Sequence, residues 1–221
     1  MIFPRSVSLG KKLPRTLVAL VLAISASAAN AGAQREEQLS DSVKSALHKA
    51  VADTPSNRTY FQSEAHERAW LGEMASRLKK KFNEVDDSLD FLRTVHYEAT
   101  RAGLDPEMVL GLIQVESNFR KYALSTVGAR GFMQVMPFWV KQIGSKDHNL
   151  FNLRTNLRYG CIILRHYLNM EKGDYFRALG RYNGSLGQAE YPTLVVNAWR
   201  SKWSINVRRA ENEVVSRKRP S

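Results

Sequence analysis

The sequence predicts an all-α protein. Apolar residues recur at the i, i+3, i+4, i+7 spacing of helices in one segment after another. These segments open on capping residues such as Asp105, Asn152 and Asp174 and close on glycines such as Gly103, Gly144 and Gly184. No run of alternating apolar and polar residues marks a strand. At 221 residues the chain suits one domain with extensions rather than two full domains.

Residues 1–31 have the layout of a secretory signal peptide. Arg5, Lys11, Lys12 and Arg15 form a positive start, Leu17–Ile24 an apolar centre, and Ala29-Asn30-Ala31 a cleavage site, with Ala31-Gly32-Ala33 as a second possible site. The apolar run falls well short of the ~20 residues a spanning helix requires, so no integral membrane segment is expected in the mature chain. Cys161 is the sole cysteine, which excludes an intrachain disulfide and a lipid-acceptor cysteine at the cleavage site. The expected location is therefore periplasmic or secreted.

Residues 32–60 read as a loosely attached arm. Ser42–Ala52 places Val43, Ala46, Leu47, Ala50 and Val51 on one face of a short helix, and Thr54-Pro55-Ser56-Asn57 breaks it. Asn57-Arg58-Thr59 matches a glycosylation acceptor, a pattern too common to weigh. A domain over 61–205 follows. Its first helix starts at Ser63, carries Trp70, Leu71, Met74 and Leu78, and should run to about Phe82, with Lys79–Lys81 as a solvated end. Asp86 or Asp87 caps the next, with Leu89, Leu92, Val95, His96 and Ala99, until Gly103; His96 on that stripe suits a core histidine.

Asp105 and Pro106 then start a helix whose residues Met108, Val109, Leu110, Leu112, Ile113 and Val115 leave almost no polar face, as expected of a helix enclosed by its own domain. The stripe Val109, Leu112, Ile113 continues to Glu116. Periodicity alone leaves Glu116 either an ordinary surface residue or a buried acid with a raised pKa, the condition a general acid needs near neutral pH. After a Ser- and Gly-rich loop at 125–131 come Phe132, Met133, Val135, Met136, Phe138, Trp139 and Ile143. Asn152 caps a helix with Leu153, Leu157, Cys161, Leu164 and Leu168 on one stripe and Gly160 beside it for close packing. Asp174 caps another, with Tyr175, Ala178, Leu179 and Tyr182, stopped at Asn183-Gly184. A last helix after Tyr191-Pro192 carries Val195, Val196, Trp199 and Trp203, and 206–221 is a basic tail.

Of 33 basic residues four fall in the signal, leaving 29 against 21 acidic ones, a formal charge of +8. That balance suits a polyanionic partner. Export and the lack of a nucleic-acid motif argue against nucleic acid. His48, His66, His96, His148 and His166 are scattered and no H-E-x-x-H occurs, so neither a metal nor a cofactor is expected. A monomer is expected.

Three motifs in order resemble the lytic transglycosylases of the soluble, goose-lysozyme-like type. Glu116-Ser117 stands where that family has its catalytic Glu-Ser. Gly131-Phe132-Met133-Gln134, continuing to Met136-Pro137, is similar to its Gly-Leu-Met-Gln signature, and Arg181-Tyr182-Asn183 to its Ala-Tyr-Asn signature. Ser125, Gly128 and Ala129 fit the stretch between the first two. The resemblance covers roughly residues 65–205 and implies a lysozyme-like all-α domain acting on peptidoglycan glycan strands. It implies that Glu116 protonates the oxygen between N-acetylmuramic acid and N-acetylglucosamine, then takes the proton of the same sugar's C6 hydroxyl as a 1,6-anhydro ring closes. Ser117, Ser125, Met133, Gln134, Tyr182 and Asn183 would form the substrate site, with Tyr182 hydrogen-bonded to Glu116 and Met133 on the cleft floor.

An attacking hydroxyl on the same sugar has a high effective molarity, so one carboxylate suffices where most glycosidases use two. Consistent with that, no second acid falls within the signatures, and Glu171, Asp174 and Glu190 read as helix-terminal or loop residues. Phe132 replaces the commonest leucine, and Arg181 stands where alanine is usual, pointing either to solvent or into a cleft that receives acidic peptide stems. The alternative is a weakly catalytic or non-catalytic peptidoglycan-binding component of a secretion or cell-wall machine.

Overall fold

The computed structural model describes residues 34–52 and 60–205. The signal peptide, the 54–57 break with Asn57, and the basic tail lie outside the described residues. The elements are α1 (Asp41–Ala52), α2 (Glu64–Leu78), α3 (Val85–Arg101), α4 (Pro106–Ser117), α5 (Phe138–Ile143), α6 (Leu153–Met170), α7 (Tyr175–Asn183) and α8 (Glu190–Ala198), which runs into a π-helical turn at Trp199–Trp203. Among the described residues there is no strand, only isolated bridges pairing Arg130 with Leu124 and with Val135. The domain is all-α, as the sequence predicts.

α4 is the buried centre. The Asp105 side chain accepts from the N–H groups of Glu107 and Met108, and Pro106 occupies a position whose N–H would have no helical partner. Met108, Val109, Leu110, Leu112 and Ile113 are fully buried against α3, α8 and the π-helical turn. Gly111 permits the last of these contacts: a Cβ there would stand 2.9 Å from the Trp199 backbone nitrogen. Trp203, also fully buried, donates its indole N–H to Gln114 at 3.0 Å, fixing the π-helical turn against α4.

α6 packs across α3 and α7, with Leu157, Cys161, Leu164 and Leu168 buried along the expected stripe. Gly160 is the close-approach point: a Cβ on it would lie 2.3 Å from Met133 Sδ and 2.8 Å from Met133 Cβ. Gly160→Ala must therefore push Met133 out of place. Overpacking of this kind costs about 1–3 kcal/mol, so the urea midpoint of the variant should fall with the slope of its transition unchanged.

Three helix ends differ from expectation. α2 stops at Leu78, and Lys79–Lys81 form an exposed turn with the Lys81 N–H on the Leu78 carbonyl. α3 starts at Val85 with Glu84 extended, and Asp86 and Asp87 lie in its first turn, where the helix dipole favours carboxylates. α8 begins at Glu190, before Pro192. That proline is tolerated because the first turn's N–H groups have no intrahelical partner.

Residues 34–52, expected as a loosely attached arm, are docked on α5 and α6. Arg101 and Arg158 donate to the Ala50 and Val51 carbonyls at 2.5 and 3.4 Å, placing two cations at the C-terminal end of α1. The buried Glu98 holds both arginines. His48 Nδ1 adds a contact of 3.2 Å to the Ile143 carbonyl. His96 is a core histidine as expected, stacked on Phe61 at 3.6 Å and edge-on to Trp70. Burial lowers its pKa to about 4, so it stays neutral.

Candidate active site

Glu116 sits in the last turn of α4 and is 5 % exposed. The chain leaves that turn through two successive left-handed residues, Asn118 (φ 50°) and Phe119 (φ 66°). Asparagine takes this conformation readily; phenylalanine does so at a cost of about 1–3 kcal/mol. Phe119 is held there by burial against the rings of Phe91 and Trp203, with centroids at 6.0 and 5.3 Å. The end of α4, and with it Glu116, is thereby fixed in direction.

Glu116 Oε1 accepts the Tyr191 hydroxyl at 2.5 Å, while Oε2 is buried without a hydrogen-bond partner. Burial disfavours the carboxylate and raises the Glu116 pKa to about 8; the Tyr191 hydrogen bond, which favours the ionised form, only partly opposes this. The side chain thus favours the protonated acid at neutral pH, anchored by one oxygen and with the other enclosed. Tyr182 of α7 lies near enough for the charge of Glu116 to act on its hydroxyl, and burial holds both tyrosines neutral.

The segment 123–136 forms the adjoining wall. Ser125 Oγ accepts the Ala129 N–H at 3.0 Å and closes a turn. Gln134, in a left-handed conformation (φ 47°), donates Nε2 to the Ala123 and Gly131 carbonyls at 3.1 and 3.0 Å. Asn156, reaching in from α6, accepts the Met133 N–H and donates to the Arg130 and Leu150 carbonyls, each at 2.8 Å. Gly131 is required at its position, since its φ is 74° and a Cβ would come within 2.5 Å of Asn156 Nδ2. The Tyr182 hydroxyl donates to the Met133 carbonyl at 2.7 Å and ties α7 to this wall.

Glu116, Tyr182 and the Met133–Gln134 segment are therefore brought together, but several details differ from expectation. Tyr182 does not bond Glu116; Tyr191 does. Ser117 is buried and its hydroxyl donates back to the Ile113 carbonyl at 3.2 Å, a bond within its own helix. Met133 is fully buried on Gly160, beneath the wall rather than on an open floor. The amide N–H groups of Gln134 are spent on its own loop, and Ser125, half-buried, is engaged in its turn. Asn183 is buried and donates Nδ2 to Ser185 Oγ at 3.1 Å, with Oδ1 left without a partner. Arg181 is held by Glu171 and stands 3.9 Å from Glu37 of the arm. A groove of about 930 Å³ between α1, α3 and α6, lined by Leu47, Arg101 and Arg165 among others, contains none of these residues.

Two contributors escaped the sequence reading. Tyr191 carries no local signal, because its partner lies 75 positions away and only the packing of α8 on α4 joins them. Asn156, near the start of α6 between Thr155 and Leu157, carries no local signal either, because the carbonyls and the N–H that it binds lie in the loops before its helix.

Residues 93–193 match the transglycosylase SLT domain. Relatives include a transglycosylase of Enterobacteria phage PRD1, 34% identical over 107 residues, which cover 48% of this chain and 39% of that protein. The membrane-bound lytic murein transglycosylase C of Haemophilus influenzae (strain ATCC 51907 / DSM 11121 / KW20 / Rd) is 43% identical over 113 residues, covering 44% of this chain and 32% of that one. The protein of the same description from Histophilus somni (strain 2336) is 43% identical over 113 residues, covering 44% and 31%. The chain spans between about a third and two fifths of the length of these relatives.

Proposed function

Because the chain carries a transglycosylase SLT domain over residues 93–193, we propose that it is a peptidoglycan lytic transglycosylase with Glu116 as its single acid/base and residues 61–205 as the working domain. The observation that carries this reading is a buried carboxyl held through one oxygen by Tyr191, in surroundings that favour its neutral form at neutral pH. Glu116 gives its proton to the β-1,4 glycosidic oxygen between N-acetylmuramic acid and N-acetylglucosamine. The C1–O bond breaks, and the leaving sugar departs with its 4-hydroxyl restored. The C6 hydroxyl oxygen of the muramic acid then bonds to C1 and its proton returns to Glu116. No water is consumed, and the acid is regenerated. Asn183 Oδ1, buried and without a partner, is suited to accept a hydrogen bond from the sugar, and Ser125, Gln134 and Tyr182 shape the wall it lies against.

We place the protein outside the cytoplasm, on the signal-like residues 1–31. No helix among the described residues is long and apolar enough to cross a membrane. Digestion of purified cell wall, followed by mass spectrometry, should give 1,6-anhydromuropeptides, each one water lighter than the hydrolysis product. Reducing ends alone would identify a muramidase, and no soluble product at all would favour a wall-binding role.

A further inference from the structure

Gln34 precedes α1 in sequence, yet it is only 4 % exposed. Its Oε1 accepts two hydrogen bonds, from the Trp139 indole N–H at 3.0 Å and from the Met136 backbone N–H at 3.3 Å. Its Nε2 is buried without a hydrogen-bond partner, and its carboxamide lies near enough to the Tyr182 hydroxyl to oppose a small part of the rise that burial and the charge of Glu116 give that group's pKa. Both Met136 and Tyr182 belong to the site. Met136 follows Val135, whose backbone exchanges two hydrogen bonds of 3.0 Å with Arg130, and Tyr182 donates to the carbonyl of Met133. One carboxamide from the arm therefore ties the end of the 133–136 segment to Trp139 and lies near the tyrosine beside Glu116.

The arm is held so that Gln34 can do this. Gln142 Nε2 donates to Glu36 Oε1 and to the Glu37 carbonyl at 3.2 Å each, Arg181 stands 3.9 Å from Glu37, and Arg101 and Arg158 bind the last carbonyls of α1. Buried carboxamides with satisfied acceptors set geometry, because any shift strands the polar groups that they serve.

We propose that Gln34 is a positioning residue for the Glu116 site, so that the N-terminal arm completes an active site whose acid and two tyrosines lie within residues 93–193. This rests on the reading of Glu116 as the acid/base. Removing the carboxamide leaves the Trp139 and Met136 N–H groups unpaired and opens a space for water beside Tyr182. Misplacement of a wall by a fraction of an ångström lowers turnover more than binding. Water admitted near Glu116 also relieves the burial that keeps it protonated. The groups acting on Glu116 are burial and the Tyr191 hydrogen bond, and Tyr182, neutral, is its other titratable neighbour.

The test is steady-state kinetics of the full-length protein on cell wall across pH, for wild type, Gln34→Ala, Gln34→Glu and Glu116→Gln. Gln34→Ala should lose about tenfold in kcat with KM nearly unchanged, and the alkaline limb of its pH profile should move to lower pH. Gln34→Glu keeps an oxygen acceptor for both donors and should recover most of the turnover. Wild-type kcat and an unmoved limb in Gln34→Ala overturn the proposal, as does a loss that Gln34→Glu fails to restore. A gain in activity overturns it too, by making the arm an obstruction. If Glu116→Gln stays active, the functional reading fails as well, whereas an inactive Glu116→Gln beside an unaltered Gln34→Ala sinks the proposal alone.

Discussion

Glu116→Gln should abolish glycan cleavage, with a fall in kcat of at least about 10³-fold, while glycan binding persists. General acid–base catalysis alone is worth about 10²–10⁴-fold; here one group serves both proton transfers, and an amide can make neither. The same substitution should stabilise the protein, increasingly as pH rises. The folded-state pKa of about 8 lies above the ordinary 4.5. The stability that burial of the neutral acid allows is fully present below pH 4.5. It is lost as pH climbs toward 8, because the unfolded chain ionises first. The slope approaches about 1.4 kcal/mol per pH unit within that window. Glutamine does not titrate. Thermal melts of the two proteins should therefore diverge from pH 5 to pH 8 and run parallel above it, and a constant difference would show that Glu116 is not buried as an acid.

Tyr191→Phe should have the next largest effect. Its hydroxyl is the only hydrogen-bond partner of the Glu116 carboxyl among the described residues, and hydrogen bonds to charged groups contribute about 1.5–3 kcal/mol. The bond favours the ionised form, the species that must take the proton of the sugar hydroxyl in the second half of the reaction. Its loss should lower kcat by about 10–100-fold and raise the Glu116 pKa further, moving the alkaline limb of the rate profile to higher pH. Tyr182→Phe provides the contrast. It breaks the tie to the Met133 carbonyl and should disturb the wall, without that upward movement of the limb. If the two substitutions gave each other's profiles, Tyr182 would regain the role the sequence suggested for it.

That exchange of tyrosines marks where sequence stops informing. The start of α4 is legible because its determinants are local: Asp105 caps the N–H groups two and three residues on, and Pro106 fits the first turn. The burial of Glu116 was open in the sequence and is settled by α8, which packs on α4 and lays Tyr191 on the carboxyl at the end of the stripe. Which of two tyrosines reaches the acid depends on how α8 lies along α4 and how α7 packs against α8, a fraction of a turn that periodicity does not encode. The Gly131–Gln134 signature falls in the segment beside Tyr182 but suggested outward-facing ligand contacts. In the structure its polar groups are largely consumed in holding an irregular loop, since a buried loop must satisfy its own backbone. Ser117 could have been read better, because a serine four residues after a helical carbonyl has a local partner available.

The match to known transglycosylases begins at residue 93, in the middle of α3, and ends at 193, inside α8. What inheritance has kept recognisable is thus smaller than what folds. A fragment cut at those limits would sever two helices that pack on α4 and discard Trp203, and it would leave Gln114 without its indole partner and Gln34 absent altogether. Grafting the signature-bearing hundred residues into another scaffold should transfer the chemistry's vocabulary but not the enclosure that keeps its acid protonated. The unit to transplant runs from the arm to the π-helical turn.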